Sequence, residues 1–123
     1  MQLLDTGVNS AEENMLLDAK LLAELSPTGA PLLHFYDWAR PSLTHGYFII
    51  PEQHLRPHPT FDRARRPTGG GIVFHTWDLA FSLLLPANHP IYTLKPVESY
   101  RAINQIALEA MQSLFPLTAS IYK

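Results

Sequence analysis

Arg65-Arg66-Pro67-Thr68-Gly69-Gly70-Gly71-Ile72-Val73-Phe74-His75 is the stretch around which this chain is organised. Two cations and a hydroxyl lead into three consecutive glycines, which run straight into an apolar, β-prone segment. Each glycine loses more backbone freedom on folding than any other residue, and in regular structure it is less favourable than alanine by roughly 0.5–1 kcal/mol. One or two glycines satisfy a tight turn. Three beside an arginine pair point to main chain that approaches a ligand closely, adopts positive φ and aims N–H groups at an anion. The spacing is neither that of a P-loop, G-x-x-x-x-G-K-S/T, nor that of a dinucleotide fingerprint, G-x-G-x-x-G. Arg65 and Arg66 carry charge of the sign that a phosphate or carboxylate needs. Consecutive residues of an extended chain face opposite ways, so only one of the two is expected to touch a ligand.

Upstream, Ser10-Ala11-Glu12-Glu13 has the S-x-x-E pattern of a capping box and predicts a helix start. Met15, Ala19, Leu22 and Leu25, with Leu17 and Leu21 alongside, form an apolar stripe at helical spacing that Ser26-Pro27-Thr28-Gly29 ends. Leu32 to Trp38 reads as a strand, and Ser42 to Ile50 as a second with Gly46 as a bulge or a point of close approach. The proline-rich run from Pro51 to Pro67 reads as a connector. Gly71 to His75 and Leu79 to Leu85 read as two strands of an antiparallel hairpin, with Ser82 in a structural place. Tyr100, Ile103, Ala107, Ala110 and Leu114 line one face of a second helix that Pro116 stops, and Leu117 to Tyr122 can begin another strand. This order does not alternate as a doubly wound parallel sheet does. It predicts an α+β fold, a mainly antiparallel sheet with two flanking helices, over a single domain spanning residues 1–123.

Composition narrows the function. With 46% hydrophobic and 16% charged residues, the chain is that of a folded domain. A net charge of −2 gives no broad basic field for nucleic acid. Zero cysteines exclude disulfides, thiolate metal sites and a cysteine nucleophile on these residues. The first residues lack a signal-peptide pattern and no apolar run reaches the length of a membrane span, so a cytoplasmic protein without membrane contact is expected. His54 and His58 have H-x-x-x-H spacing, but Pro57 and Pro59 oppose the helix that would put them on one face, so they read as surface histidines. His75 alone reads as a satisfied polar residue at a strand end, with Asp78 placed to orient it.

The run R-R-P-T-G-G-G-I-V-F-H, with Asp78, Leu79 and Ser82 following, resembles the signature of the lipoate–protein ligase and octanoyltransferase catalytic domain family, a relative of biotin protein ligase. The element order agrees with that family from near Met1 to about Leu117. Biotin ligases themselves write the loop as G-R-G-R-x-G-R, which this chain does not. The resemblance implies a sheet flanked by helices, with an acyl-adenylate site above the glycine loop. By position it puts ligand contacts on Arg65 or Arg66, Thr68, Gly69, Gly70, Gly71, Val73 and His75. It implies ATP and lipoate or octanoate as substrates, Mg²⁺ accompanying the ATP, and no resident metal. The acceptor it implies is a lipoyl carrier domain of a 2-oxoacid dehydrogenase or a glycine cleavage protein.

The ligase branch holds its acyl and phosphate oxygens with a downstream lysine in a K-I-x-G-type segment, and the transferase branch can use a cysteine nucleophile. Lys20, Lys95 and Lys123 match no such segment, and there is no cysteine. The expectation is therefore a partial catalytic domain, inactive alone, that a second chain could complete. The alternatives to a lipoate–protein ligase are a noncatalytic acyl- or nucleotide-binding module built on the same scaffold and a fragment of an octanoyltransferase.

Overall fold

The computed structural model describes residues 1–54 and 61–114. The chain divides into two compact units, Met1–Pro86 and Ala87–Lys123. The first unit holds β1 (Gln2–Asn9), α1 (Ala11–Glu24), β2 (Leu32–Trp38), β3 (Ser42–His45), β4 (Asp62–Arg65), β5 (Ile72–His75) and β6 (Ala80–Leu84), and the second holds α2 (Pro96–Leu114). Pro116 and the strand expected over Leu117 to Tyr122 lie outside the described residues, as does His58.

The α+β class and the two helices stand as expected; the strand pairing is more mixed. The strands form two three-stranded sheets, β1-β2-β6 and β4-β3-β5. β1 runs parallel to β2 and β4 parallel to β3, whereas β6 and β5 run antiparallel to those same central strands. Parallel neighbours need a long crossover, and α1 supplies it between β1 and β2. Two strands carry these parallel ladders into places where the sequence reading has none: β1 before the first helix, and β4 inside the proline-rich connector. The hairpin expected from Gly71 to Leu85 does not form. β5 and β6 occur close to their expected ranges but pair in different sheets, because the centres available to them are β3 and β2. A local pattern reports the strand and not its partner.

Helix α1 starts where the capping box predicts. Ser10 Oγ accepts from Glu13 N at 3.2 Å, and Glu13 Oε2 accepts from Ser10 N at 2.9 Å. Asp62 of β4 adds a long-range cap, its Oδ2 accepting from Ala11 N at 2.9 Å. This bond ties the helix start to the strand that leads into Arg65 and Arg66. The buried face of α1 is Ala11, Asn14, Met15 and Asp18, which is i, i+3, i+4, i+7 spacing. It is rotated away from the leucine stripe expected from the sequence, for Leu22 is exposed and Leu17, Ala19, Leu21 and Leu25 are half-buried.

The rotation follows from a polar interior. His34 is wholly buried on β2, with Nδ1 at 2.7 Å from Asp18 Oδ1 and Nε2 at 2.7 Å from Thr6 Oγ1. Asp18 Oδ2 also accepts from Ser82 Oγ, whose own neighbour is the Tyr36 hydroxyl at 3.2 Å. One helix and three strands of the first sheet thus meet in a single hydrogen-bonded cluster, and Ser82 is structural as expected. The apolar core beside it is small: Ala11, Met15 and Ala64, with Tyr36 and Trp38 packed against them.

Burial raises the Tyr36 phenol above its ordinary value of 10.0; the charge of Asp18 adds to this and the hydrogen bond with Ser82 opposes it. In alkaline solution the unfolded phenol ionises first, so the folded state holds more protons and stability falls as pH rises. This contribution is complete below about pH 10 and disappears as pH climbs through the folded value. Denaturant midpoints measured from about pH 8 to pH 11 should drop beyond about pH 10, with Tyr36→Phe flattening the drop. An equally steep fall in Tyr36→Phe would refute this origin.

Candidate functional site

The glycine loop is built by β3, β4 and β5 together. Arg66 N donates to His45 O at 2.8 Å as the chain leaves β4, Tyr47 N donates to Thr68 O at 2.9 Å, and Gly46 N donates to Gly71 O at 3.0 Å. Gly46 is the point of close approach read from the sequence: a Cβ there would lie 2.0 Å from Gly70 O. The contact ends β3 at His45 instead of Ile50. Gly70 has φ of +98°, in the region that favours glycine, so this one residue of the triplet is demanded by the fold. Gly69 and Gly71 are different. A Cβ at either would meet nothing within 4 Å, and neither has a positive φ.

The arginines diverge as adjacent extended residues should. Arg66 turns into the loop: Nη2 donates to Gly69 O at 3.1 Å and to Gly71 O at 2.8 Å, while Nη1 donates to Thr44 Oγ1 at 3.0 Å. Burial lowers its guanidinium pKa, an effect that the nearby Tyr36 opposes. Arg65 turns outward and lays its guanidinium 4.3 Å from the centre of the Tyr47 ring. Neither arginine has a carboxylate partner among the described residues, whereas Arg63 pairs with Glu52 at 2.9 Å. All three arginines line an open groove of 560 Å³ with His45, Tyr47 and, from α1, Met15, Leu16 and Ala19. Glu12, Ala64 and Pro67 complete its lining.

His75 is held on three sides. Nδ1 bonds Asp78 Oδ2, Nε2 lies 2.8 Å from Thr44 Oγ1, and the ring stacks on Trp38 at 4.2 Å between centres. Asp78 orients the imidazole, as expected from its spacing. Thr44 pairs with Val73 across the sheet and Ser42 with His75, so Val73 and His75 share a face with Thr44. The expected contact residues therefore converge: Arg66, Gly69, Gly70, Gly71, Val73 and His75 surround one stretch of loop and strand. Thr68 contributes its carbonyl to the loop and its side chain is exposed. Arg65 pairs with His45 and so lies on the other face, where it meets Arg66 only at the groove that both line. The sequence reading missed Thr44 and Trp38, which belong to strands remote from the motif. The only local signal was their placement in two of the strands it did find.

These features define the class: an α+β domain with a glycine loop laced by an arginine beside an oriented histidine. Residues 10–123 match the family model of the lipoyl protein ligase A/B catalytic domain, and the chain belongs to that family. It is 36% identical to octanoyltransferase LipM of Carboxydothermus hydrogenoformans over 85% of its own length and 41% of that protein's. With octanoyltransferase LipM of Anoxybacillus flavithermus the identity is 35%, over 90% of this chain and 42% of the relative. Among solved structures it is similar to Ta0514 of T. acidophilum, assigned to the lipoate protein ligases, with a TM-score of 0.57 and 31% identity over 67% of this chain and 36% of that one. A second structure of Ta0514, with bound lipoic acid, has a TM-score of 0.54 and 30% identity. The chain spans about two fifths of the length of these curated relatives. Among the described residues no helix is long and apolar enough to cross a membrane.

Proposed function

We propose that this chain supplies the acyl-binding part of an octanoyl or lipoyl transfer domain. The acyl chain lies along Gly69, Gly71 and Val73, and its carboxyl-derived head faces Arg66, Thr68 and His75. One observation carries this reading: a Cβ at Gly69 or Gly71 would meet open space among the described residues, which leaves room there for a ligand. The octanoyltransferase relatives favour delivery of the acyl group already activated. If the acid arrives free, ATP with Mg²⁺ activates it, and the unpaired cations at Arg65 and Arg66 suit the phosphate.

The acceptor is a lysine of a lipoyl carrier domain from a 2-oxoacid dehydrogenase or glycine cleavage protein. The cysteine or lysine that acts on the acyl carbon comes from polypeptide outside these residues, continuous or separate, since this sequence has no cysteine and its lysines lie in no matching segment. Calorimetry with octanoate, lipoate and a non-hydrolysable octanoyl-adenylate analogue tests the site. Gly69→Ala and Gly71→Ala should weaken binding by on the order of tenfold, about 1.4 kcal/mol, and leave the melting temperature unchanged. Unaltered affinity in both variants overturns the placement. Carrier-domain acylation should be absent with this chain alone and appear when the C-terminal part of a relative is added. Transfer by the chain alone would disprove the need for a complement, and binding without transfer under every complement would identify a noncatalytic module.

A further inference from the structure

We infer that Thr44 is a positioning residue of the acyl site, coupling the glycine loop to His75 through a single hydroxyl; this rests on the functional reading above. Thr44 is 1% exposed, and its Oγ1 lies 3.0 Å from Arg66 Nη1 and 2.8 Å from His75 Nε2. A guanidinium N–H can only donate, so Oγ1 accepts from Arg66. In the inferred arrangement the hydroxyl gives its one hydrogen to His75 Nε2. With Nε2 accepting, the neutral ring carries its proton on Nδ1, where Asp78 receives it. The hydrogen bonds thus run in one direction, from Arg66 to Thr44 to His75 to Asp78.

Two consequences follow for the site. The Nε2 lone pair of His75 is engaged, so the ring is held as an orienting wall and does not face the ligand as a free base. Arg66 is also the donor to Gly69 O and Gly71 O, so the position of the loop and the orientation of the ring are one state. Trp38, stacked on His75, limits the ring's freedom to rotate away from Thr44.

The test compares Thr44→Val, which keeps the shape and removes the hydroxyl, with Thr44→Ser, which keeps the hydroxyl. In the ligand-free full chain, nitrogen NMR of His75 should show the Nδ1–H tautomer with a hydrogen-bonded Nε2. The Nε2 signal should move in Thr44→Val, return in Thr44→Ser, and be accompanied in Thr44→Val by faster rotation of the Arg66 guanidinium. Affinity for the octanoyl-adenylate analogue should fall about tenfold in Thr44→Val and recover in Thr44→Ser. An Nε2 signal unmoved by Thr44→Val, or a shift that Thr44→Ser fails to reverse, overturns the inference. Should Thr44→Val fail to fold, Thr44→Ala with the same spectra decides it. If the wild-type chain binds no analogue, the functional reading falls, while the ligand-free spectra still judge Thr44.

Discussion

Gly46→Ala is expected to lower stability by about 3 kcal/mol or more and to abolish ligand binding with it. The new methyl would lie 2.0 Å from Gly70 O, 2.8 Å from Gly70 C and 3.0 Å from Gly69 C. These are main-chain atoms, so no side chain can rotate aside. Relief requires the loop and the end of β3 to part by roughly an ångström. Parting them strains the bonds from Gly46 N to Gly71 O and from Tyr47 N to Thr68 O, which shape the loop. Gly69→Ala is the matched control, because its methyl meets open space. Thermal melts of both variants check the claim. A Gly46→Ala protein as stable as the parent would show that this close approach is absent in solution.

Asp18→Ala is the second large effect, with an expected cost of about 2–4 kcal/mol, because two buried hydrogen-bonding partners of the carboxyl group are left unsatisfied at about 1–3 kcal/mol each. The carboxylate accepts from both His34 and Ser82, and His34 is 0% exposed, so its imidazole would be left with an unpaired nitrogen and no route to water. The double variant Asp18→Leu with His34→Leu should recover much of the loss, since it removes both polar groups together. By contrast, Glu52→Ala breaks the Arg63 pair, whose side chains are 36% and 69% exposed, and should cost less than about 1 kcal/mol. Urea midpoints for the four proteins test the ranking. A loss below about 1 kcal/mol for Asp18→Ala would mean that water reaches the cluster.

Much of this molecule is legible before folding is considered. The capping box at Ser10 marks the start of α1, the aromatic run sets β2 at Leu32–Trp38, and Gly46 is readable as a close approach. What resists reading shares a cause. β1 is partly polar and β4 is short and polar, and each is stabilised by lying parallel to a neighbour from which a crossover separates it along the chain. The separation of β5 from β6 is likewise settled by which central strand each one meets. The inward face of α1 went unread because Asn14 and Asp18 look like surface residues until Asp37 O and His34 are brought to them.

The site divides along the same line. By itself the sequence determines the glycine loop, its arginines and His75, because close approach of main chain and a positive φ demand particular residue types at adjacent positions. It also determines membership of the lipoyl protein ligase A/B catalytic domain family, which residues 10–123 match. Only the tertiary structure decides that Arg66 laces the loop while Arg65 stacks on Tyr47, that Gly70 serves the fold while Gly69 and Gly71 stay open, and that Thr44 and Trp38 hold His75. The reason is physical: a hydrogen bond or a ring stack has no energy until folding brings its two halves within a few ångströms, and the contacts of Thr44 with Arg66 and His75 and of Trp38 with His75 join residues 22 to 37 apart in the chain.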